Sequence, residues 1–200
     1  MIQVCFEMTE FELLAIPISL VLGLGITKML NALAIVIRNR KQVQFHWIPV
    51  AWAAWIFLVC VQFFFYMWDL YEMEVPFTWS VFGPLLWHSI LLFLAAGLVL
   101  PSPGVNEVSD NLLDDFQKHG RLALIPFAIV TLDAIVQNVF QYGDKWLGEA
   151  NVLNMIFIVL VLIAFFAKKF VQAMATISLG ILLIYGLAFV WSRPGVPPLG

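Results

Sequence analysis

The sequence predicts an all-α, polytopic transmembrane helical bundle of six spans. Three observations predict it. Of 200 residues, 62% are hydrophobic and only 12% are charged, whereas soluble domains carry about 25% charged residues. The apolar residues fall in runs of about 20, the length that crosses a hydrocarbon core of roughly 30 Å. Period-2 alternation is absent, which argues against a β-barrel. A soluble fold this small could not hide so much apolar surface, whereas a bilayer accepts it as solvent.

The helices are expected at about 11–37, 47–68, 78–100, 121–141, 150–168 and 171–191. A signal peptide is the rival reading for the first run, and Ala32-Leu33-Ala34 looks like a cleavage site. The preceding segment is acidic (Glu7, Glu10, Glu12) where a signal needs positive charge, so the run reads as a retained helix. Only Lys168-Lys169-Phe170 separates the fifth and sixth runs. As one helix they would reach roughly 60 Å, twice the membrane, so a tight hairpin is expected. The third connection is the longest. Within it, a short interfacial helix is expected over about 109–119, capped by Ser109 or Asp110 and ended by Gly120. Leu112, Leu113 and Phe116 would share its apolar face. The connections leave no room for a separate soluble domain, so residues 1–200 read as one transmembrane domain.

Charge sets the orientation, because cytoplasmic loops are enriched in Lys and Arg. The first, third and fifth connections hold Arg38, Arg40, Lys41, Lys118, Arg121, Lys168 and Lys169. The opposite side has only Lys145 and Arg193. Both termini are therefore expected outside. Trp68, Trp79, Trp146 and Trp191 fall at the outer helix ends, as an interfacial aromatic belt requires. Short echoes link the two halves: Leu14-Ala15-Ile16-Pro17 with Leu124-Ile125-Pro126, and Pro103-Gly104-Val105 with Pro194-Gly195-Val196. They raise the expectation of an inverted three-helix repeat, common in transporters, although matches this short also arise by chance.

Three ionisable residues lie deep in predicted spans: Lys28 in the first, His88 in the third and Asp133 in the fourth. A bare charge there costs roughly 2.5 kcal/mol or more, so each is expected to face protein or water with a partner. The depths of Lys28 and Asp133 differ by roughly 7–8 Å, which two side chains can bridge. One reading makes them a path for protons, ions or a small solute, with His88 as relay. The simpler alternatives are a structural Lys28–Asp133 pair, a snorkelling Lys28, and a hydrogen-bonded core histidine.

Gln137 and Gln141 follow Asp133 at four-residue spacing, flanked by Asn138, and Gln62 and Asn154 sit at similar depth. Such a stripe cannot face lipid, so it lines an outer cavity or forms a buried hydrogen-bond network. In the first helix, Ser19, Gly23, Thr27 and Asn31 form a ridge of small and polar residues. It reads as a helix-packing seam, within the bundle or between subunits.

Elsewhere the chemistry is thin. Asp110 and Asp114 have a spacing that could hold Mg²⁺ against a lipid diphosphate, but no second acidic cluster accompanies them. The two cysteines, Cys5 and Cys60, are too few for a disulfide framework or metal cluster. Haem held by two histidines would need a partner for His88 at its depth, and His46 and His119 are not. Catalytic residues, a resident metal, a cofactor and a nucleic-acid partner are therefore not expected.

The opening Met8-Thr9-Glu10-Phe11-Glu12, then Leu20-Val21-Leu22-Gly23-Leu24-Gly25-Ile26-Thr27 and the basic Arg38-Asn39-Arg40, resembles the start of a group of small bacterial multi-helix membrane proteins. The resemblance covers about the first forty residues. It implies a bacterial inner membrane and carries no activity or site residues. Met8-Thr9-Glu10-Phe11-Glu12 by itself also reads as an alternative start, with residues 1–7 an upstream extension.

The leading expectation is a small channel or transporter for an ion, proton or small polar solute, forming a homo-oligomer. The alternative is a non-catalytic subunit, sensor or scaffold packed against a partner membrane protein. For that role the aromatic wall of the second helix (Trp52, Trp55, Phe63, Phe64, Phe65, Tyr66, Trp68) would be the docking surface.

Overall fold

A computed structural model of the chain describes residues 10–39, 44–72, 78–101, 111–140, 145–167 and 170–191. These form α1 (Glu10–Arg38), α2 (Trp47–Glu72), α3 (Trp79–Leu98), a short α4 (Leu112–Lys118), α5 (Leu124–Phe140), α6 (Glu149–Phe166) and α7 (Phe170–Trp191). A 3₁₀ turn, Gly120–Ala123, leads from α4 into α5. Each long helix starts and ends within a few residues of the position that run length predicts. Helix is what an apolar run must adopt in lipid, because only a helix satisfies its backbone groups without water.

Five helices are long and apolar enough to cross a membrane: the stretches Ala15–Arg38, Trp47–Trp68, Trp79–Leu98, Gly120–Phe140 and Glu149–Phe166. The chain is thus a multi-pass helical membrane protein by the length and composition of its helices. The expected sixth span corresponds to α7, a helix of 22 residues whose stretch Phe170–Tyr185 is apolar.

The helices pack as a ring, α2–α3–α5–α6–α7, with α7 returning to α2. α1 lies outside the ring, chiefly on α3 and more lightly on α2. Gly25 allows the α1–α3 approach, since a Cβ there would sit 3.0 Å from Phe93 Cα. α6 and α7 form the expected hairpin, and Gln172 Nε2 in α7 donates to the Ala164 carbonyl in α6 (3.2 Å). The expected inverted repeat is not reflected in the packing. In the first half the outer helix sits on α3, whereas in the second α5 packs on α6.

The end of the bundle bearing Arg38, Lys118 and Arg121 is called the basic end below. Its half of the ring is filled mostly with apolar side chains, with Gln172 and Thr176 of α7 buried among them. Trp52, Ile56, Leu92, Leu124 and Phe127 are fully buried there, with Val161, Ala164 and Leu179. Trp52 meets Phe127 edge-on at 6.4 Å, and Phe127 meets Phe157 at 5.4 Å. At the far end, Trp68, Trp79 and Trp146 are exposed, as an aromatic belt demands.

α4 caps the basic end. It is shorter than expected, and Asn111 rather than Ser109 or Asp110 caps it, its Oδ1 accepting from Leu113 N (2.9 Å). Ser109 and Asp110 lie outside the described residues. The helix buries Leu112 and Phe116 in the common core instead of presenting a loosely docked face. Its start is tied to the backbone beyond α1, where Leu112 N donates to Gln44 O (3.2 Å). Gln117 Nε2 reaches Gln172 Oε1 at 3.4 Å, which links α4 to the α6–α7 hairpin.

The corner after α4 depends on Gly120. A Cβ there would sit 2.7 Å from Phe116 Cδ2 and 2.9 Å from the Val99 carbonyl. Overpacking of this kind costs about 1–3 kcal/mol. At Gly23 on α1 a Cβ meets nothing within 4 Å. In thermal unfolding of the detergent-solubilised protein, Gly120→Ala is expected to lower Tm by several degrees and Gly23→Ala not to lower it. Equal behaviour of the two variants would contradict the packing at this corner.

Candidate functional site

The candidate site starts from a helix-period pattern. Asp133 and Gln137 are one turn apart on α5, so their side chains project from the same face. Gln137 Nε2 donates to Asp133 Oδ2 at 2.8 Å. α3 crosses beside them and brings His88 Nδ1 to the same oxygen, also at 2.8 Å. The carboxylate therefore receives two donors at one atom. In both the neutral ring with Nδ1–H and the imidazolium, Nδ1 is the donor to Asp133. The 3.4 Å approach of Gln137 Nε2 to His88 Nδ1 follows from their sharing one acceptor.

α2 completes the arrangement. Phe63 stacks on the His88 ring with centroids 5.6 Å apart and planes 5° from parallel. The His88 side chain is only 10% exposed and that of Asp133 26%. Three helices thus converge on one buried pair.

A cavity of about 420 Å³ opens beside the pair, on the far-end side of the aromatic block. His88 and Gln137 line it, and Asp133 stands behind them. Its walls also include Phe63, Tyr66, Leu92, Phe157 and Leu182, with the amides of Gln62, Asn138 and Asn154. Toward the basic end it gives way to Trp52, Phe127 and Val161, where the Thr131 hydroxyl donates to its own helix at the Phe127 carbonyl and the indole N–H groups of Trp52 and Trp55 are buried without a partner among the described residues. Near the α5–α6 connection, Asn138 Nδ2 donates to Asn151 Oδ1 (3.0 Å). Asn151 Nδ2 in turn donates to the Lys145 carbonyl (2.9 Å).

Several expected residues therefore come together: Asp133, His88 and Gln137 in the network, and Gln62, Asn138 and Asn154 around the cavity. Gln141 lies outside the described residues. The expected pairing of Lys28 with Asp133 is corrected. Asp133 has His88 as its hydrogen-bond partner, and Lys28 Nζ lies 5.0 Å from the centre of the Phe93 ring. The reason is lateral position: α3 stands between α1 and α5, so matching depth does not bring the two charges together. Thr27 and Asn31 are exposed on α1 and do not line the cavity. Thr27 Oγ1 donates to its own helix at the Gly23 carbonyl (2.7 Å).

The ridge of Ser19, Gly23 and Thr27 is not a packing seam within the described bundle, since Gly23 faces open space and the close approach occurs at Gly25. The aromatic wall of α2 is also split. Trp52 and Phe63 are buried, whereas Phe64, Phe65 and Trp68 are exposed.

Residues that sequence reasoning did not single out are Asn151, which anchors the α5–α6 turn, and Gln172. Both are polar residues in the first turn of an apolar helix, where backbone groups of the preceding turn are within reach. At the basic end, Asp114 is exposed, its expected companion Asp110 lies outside the described residues, and Asp115 is buried 3.7 Å from His119. His46 is engaged by Ile48 N at 3.3 Å, far along α2 from the cavity. Comparison of the chain with protein-family profiles, curated proteins and solved structures finds no match.

Hydrogen bonds between transmembrane helices average about 0.6 kcal/mol and reach about 1.7. The His88–Asp133 contact belongs at the upper end, because one partner is ionised and a second donor is engaged. A double-mutant cycle of His88→Ala and Asp133→Ala, read by unfolding in mixed micelles, is expected to give a coupling of about 1–2 kcal/mol. Additive losses would show that the two side chains do not act as a pair.

Proposed function

We propose that the chain is a small multi-pass carrier for a proton, ion or small polar solute. It would have six spans, α7 being the sixth, and both termini on the outer side of a bacterial inner membrane. The observation that carries this reading is the cavity at the His88–Asp133–Gln137 network, open in one half of the bundle and backed by a dry aromatic block in the other. A solute binding there reaches a titratable pair, yet among the described residues the way onward is filled by Trp52, Phe127 and Phe157. That favours a carrier, which moves its solute by changing conformation, over a standing pore. Asp133 would hold the exchangeable charge, His88 would pass a proton between Asp133 and the cavity, and Gln137 and Gln62 would contact the solute.

A second reading has its own support. Gly23 and its neighbours Thr27 and Asn31 form a polar ridge outside the ring, where another helix could approach closely. This suits a homo-oligomer or a subunit seated against a partner membrane protein. The carrier reading needs flux, and the subunit reading needs only the contact.

The deciding experiment is proton and cation flux into liposomes holding the purified protein, with wild type beside Asp133→Asn. The variant keeps an acceptor for His88 but removes the charge. Wild-type flux above that of empty liposomes, reduced at least tenfold in the variant, is the expected result. No flux above empty liposomes under any gradient would eliminate the carrier and leave the subunit reading, to be pursued by capturing the partner.

A further inference from the structure

We propose that the cavity binds a small organic ammonium ion, with its N–H group at His88 and Gln137 and its apolar body against Tyr66 and Phe157. The inference rests on the carrier reading for the fate of the cation and deepens it by naming the cargo class.

Size and lining come first. A volume of about 420 Å³ exceeds what a bare ion or a single water needs, and it lies within the roughly 300–1,000 Å³ of small-molecule sites. Leu92, Leu153 and Leu182 give the walls an apolar body, and the aromatic side chains of Tyr66 and Phe157 border it.

Charge narrows the choice. Among the described residues, no Lys or Arg lines the cavity, and the formal charge adjoining it is that of Asp133 behind His88. An anion would meet that charge with nothing to balance it. A cation would be drawn to it.

The hydrogen-bond network supplies the sharpest constraint, because it withdraws donors and leaves acceptors. A carboxylate only accepts, so Gln137 must turn its NH₂ toward Asp133, which frees Oε1. The Lys145 carbonyl only accepts, so Asn151 must turn its NH₂ there and present Oδ1 to Asn138. Asn138 then uses its NH₂ on Asn151 and keeps its own Oδ1 free. His88 gives its Nδ1 hydrogen to Asp133, so the neutral ring has a bare Nε2 with no partner among the described residues. These three free acceptors, beside the amides of Gln62 and Asn154 that can turn either way, favour a ligand rich in donors, and a donor that is itself charged binds most strongly.

The test is calorimetric titration of the full-length chain in detergent at pH 8 with three probes of similar shape: benzylammonium, benzyl alcohol and benzoate. Benzylammonium is expected to bind at least tenfold more tightly than benzyl alcohol, with no measurable binding of benzoate. Asp133→Asn is expected to weaken benzylammonium at least tenfold. Leu182→Trp, which fills the cavity without touching the polar network, is expected to abolish binding.

Equal affinity for the alcohol would reduce the cavity to an apolar pocket and overturn the proposal. So would preferred binding of benzoate, or affinity for benzylammonium that survives both variants. The three-probe comparison on wild type stands even where Asp133→Asn does not fold. Ammonium binding without flux in liposomes would sink the carrier and leave the site. Proton flux without ammonium binding would sink the cargo class and leave the carrier.

Discussion

Asp133 sits near the middle of an apolar helix, and the way its carboxylate is held constrains the structure around it. An isolated charge at that depth is costly enough that the helix would shift, tilt or neutralise it. Here one oxygen accepts from both Gln137 and His88. Gln137 lies on the same helix, so its bond sets only a local side-chain geometry. His88 lies on α3, so its bond fixes the depth of α3 against α5. Phe63 then clamps the imidazole from α2. Three of the five ring helices are thereby tied to one carboxylate.

The two halves of the ring differ because of what each side of that network must exclude. Toward the basic end, Trp52, Phe127 and Phe157 interlock and close the ring with apolar surface. α4 adds a second closure below them through Phe116 and Leu112. Toward the far end, the helices carry the amides of Gln62, Asn138 and Asn154, which line the cavity. Burying such amides in dry apolar packing without hydrogen-bond partners would be costly. Polar composition in one half and aromatic bulk in the other thus produce the one-sided cavity.

Much of this was legible in the sequence. The runs of apolar residues placed every long helix, since span length and backbone satisfaction leave few choices. The Asp133–Gln137 spacing read directly as one face of a helix. What one dimension could not supply was azimuth and neighbourhood. Lys28 and Asp133 were matched by depth, but α3 separates their helices, and His88 on that intervening helix takes the carboxylate. Gly23 and Gly25 are two residues apart, so they face different directions, and only Gly25 meets α3. The aromatic wall of α2 is split for the same reason. Seven aromatic residues along a helix that is apolar all round point both inward and outward, and the moment of such a helix does not tell which.

α1 stands apart from this economy, yet it bears on the site. It contributes no lining residue to the cavity. Its contact is with α3, where Gly25 lets the helices approach until Phe93 Cα would touch a Cβ at 3.0 Å. Phe93 is five residues from His88 on the same helix. Its ring also lies under the Lys28 ammonium, which keeps that charge occupied well away from Asp133. Because close-packed helices transmit displacement instead of absorbing it, a change in how α1 seats on α3 would move His88 relative to Asp133. The ridge on the opposite side of α1 is where a second copy or a partner would press. An influence of such a contact on the His88–Asp133 pair would therefore travel through Gly25 and Phe93, with α3 as the lever.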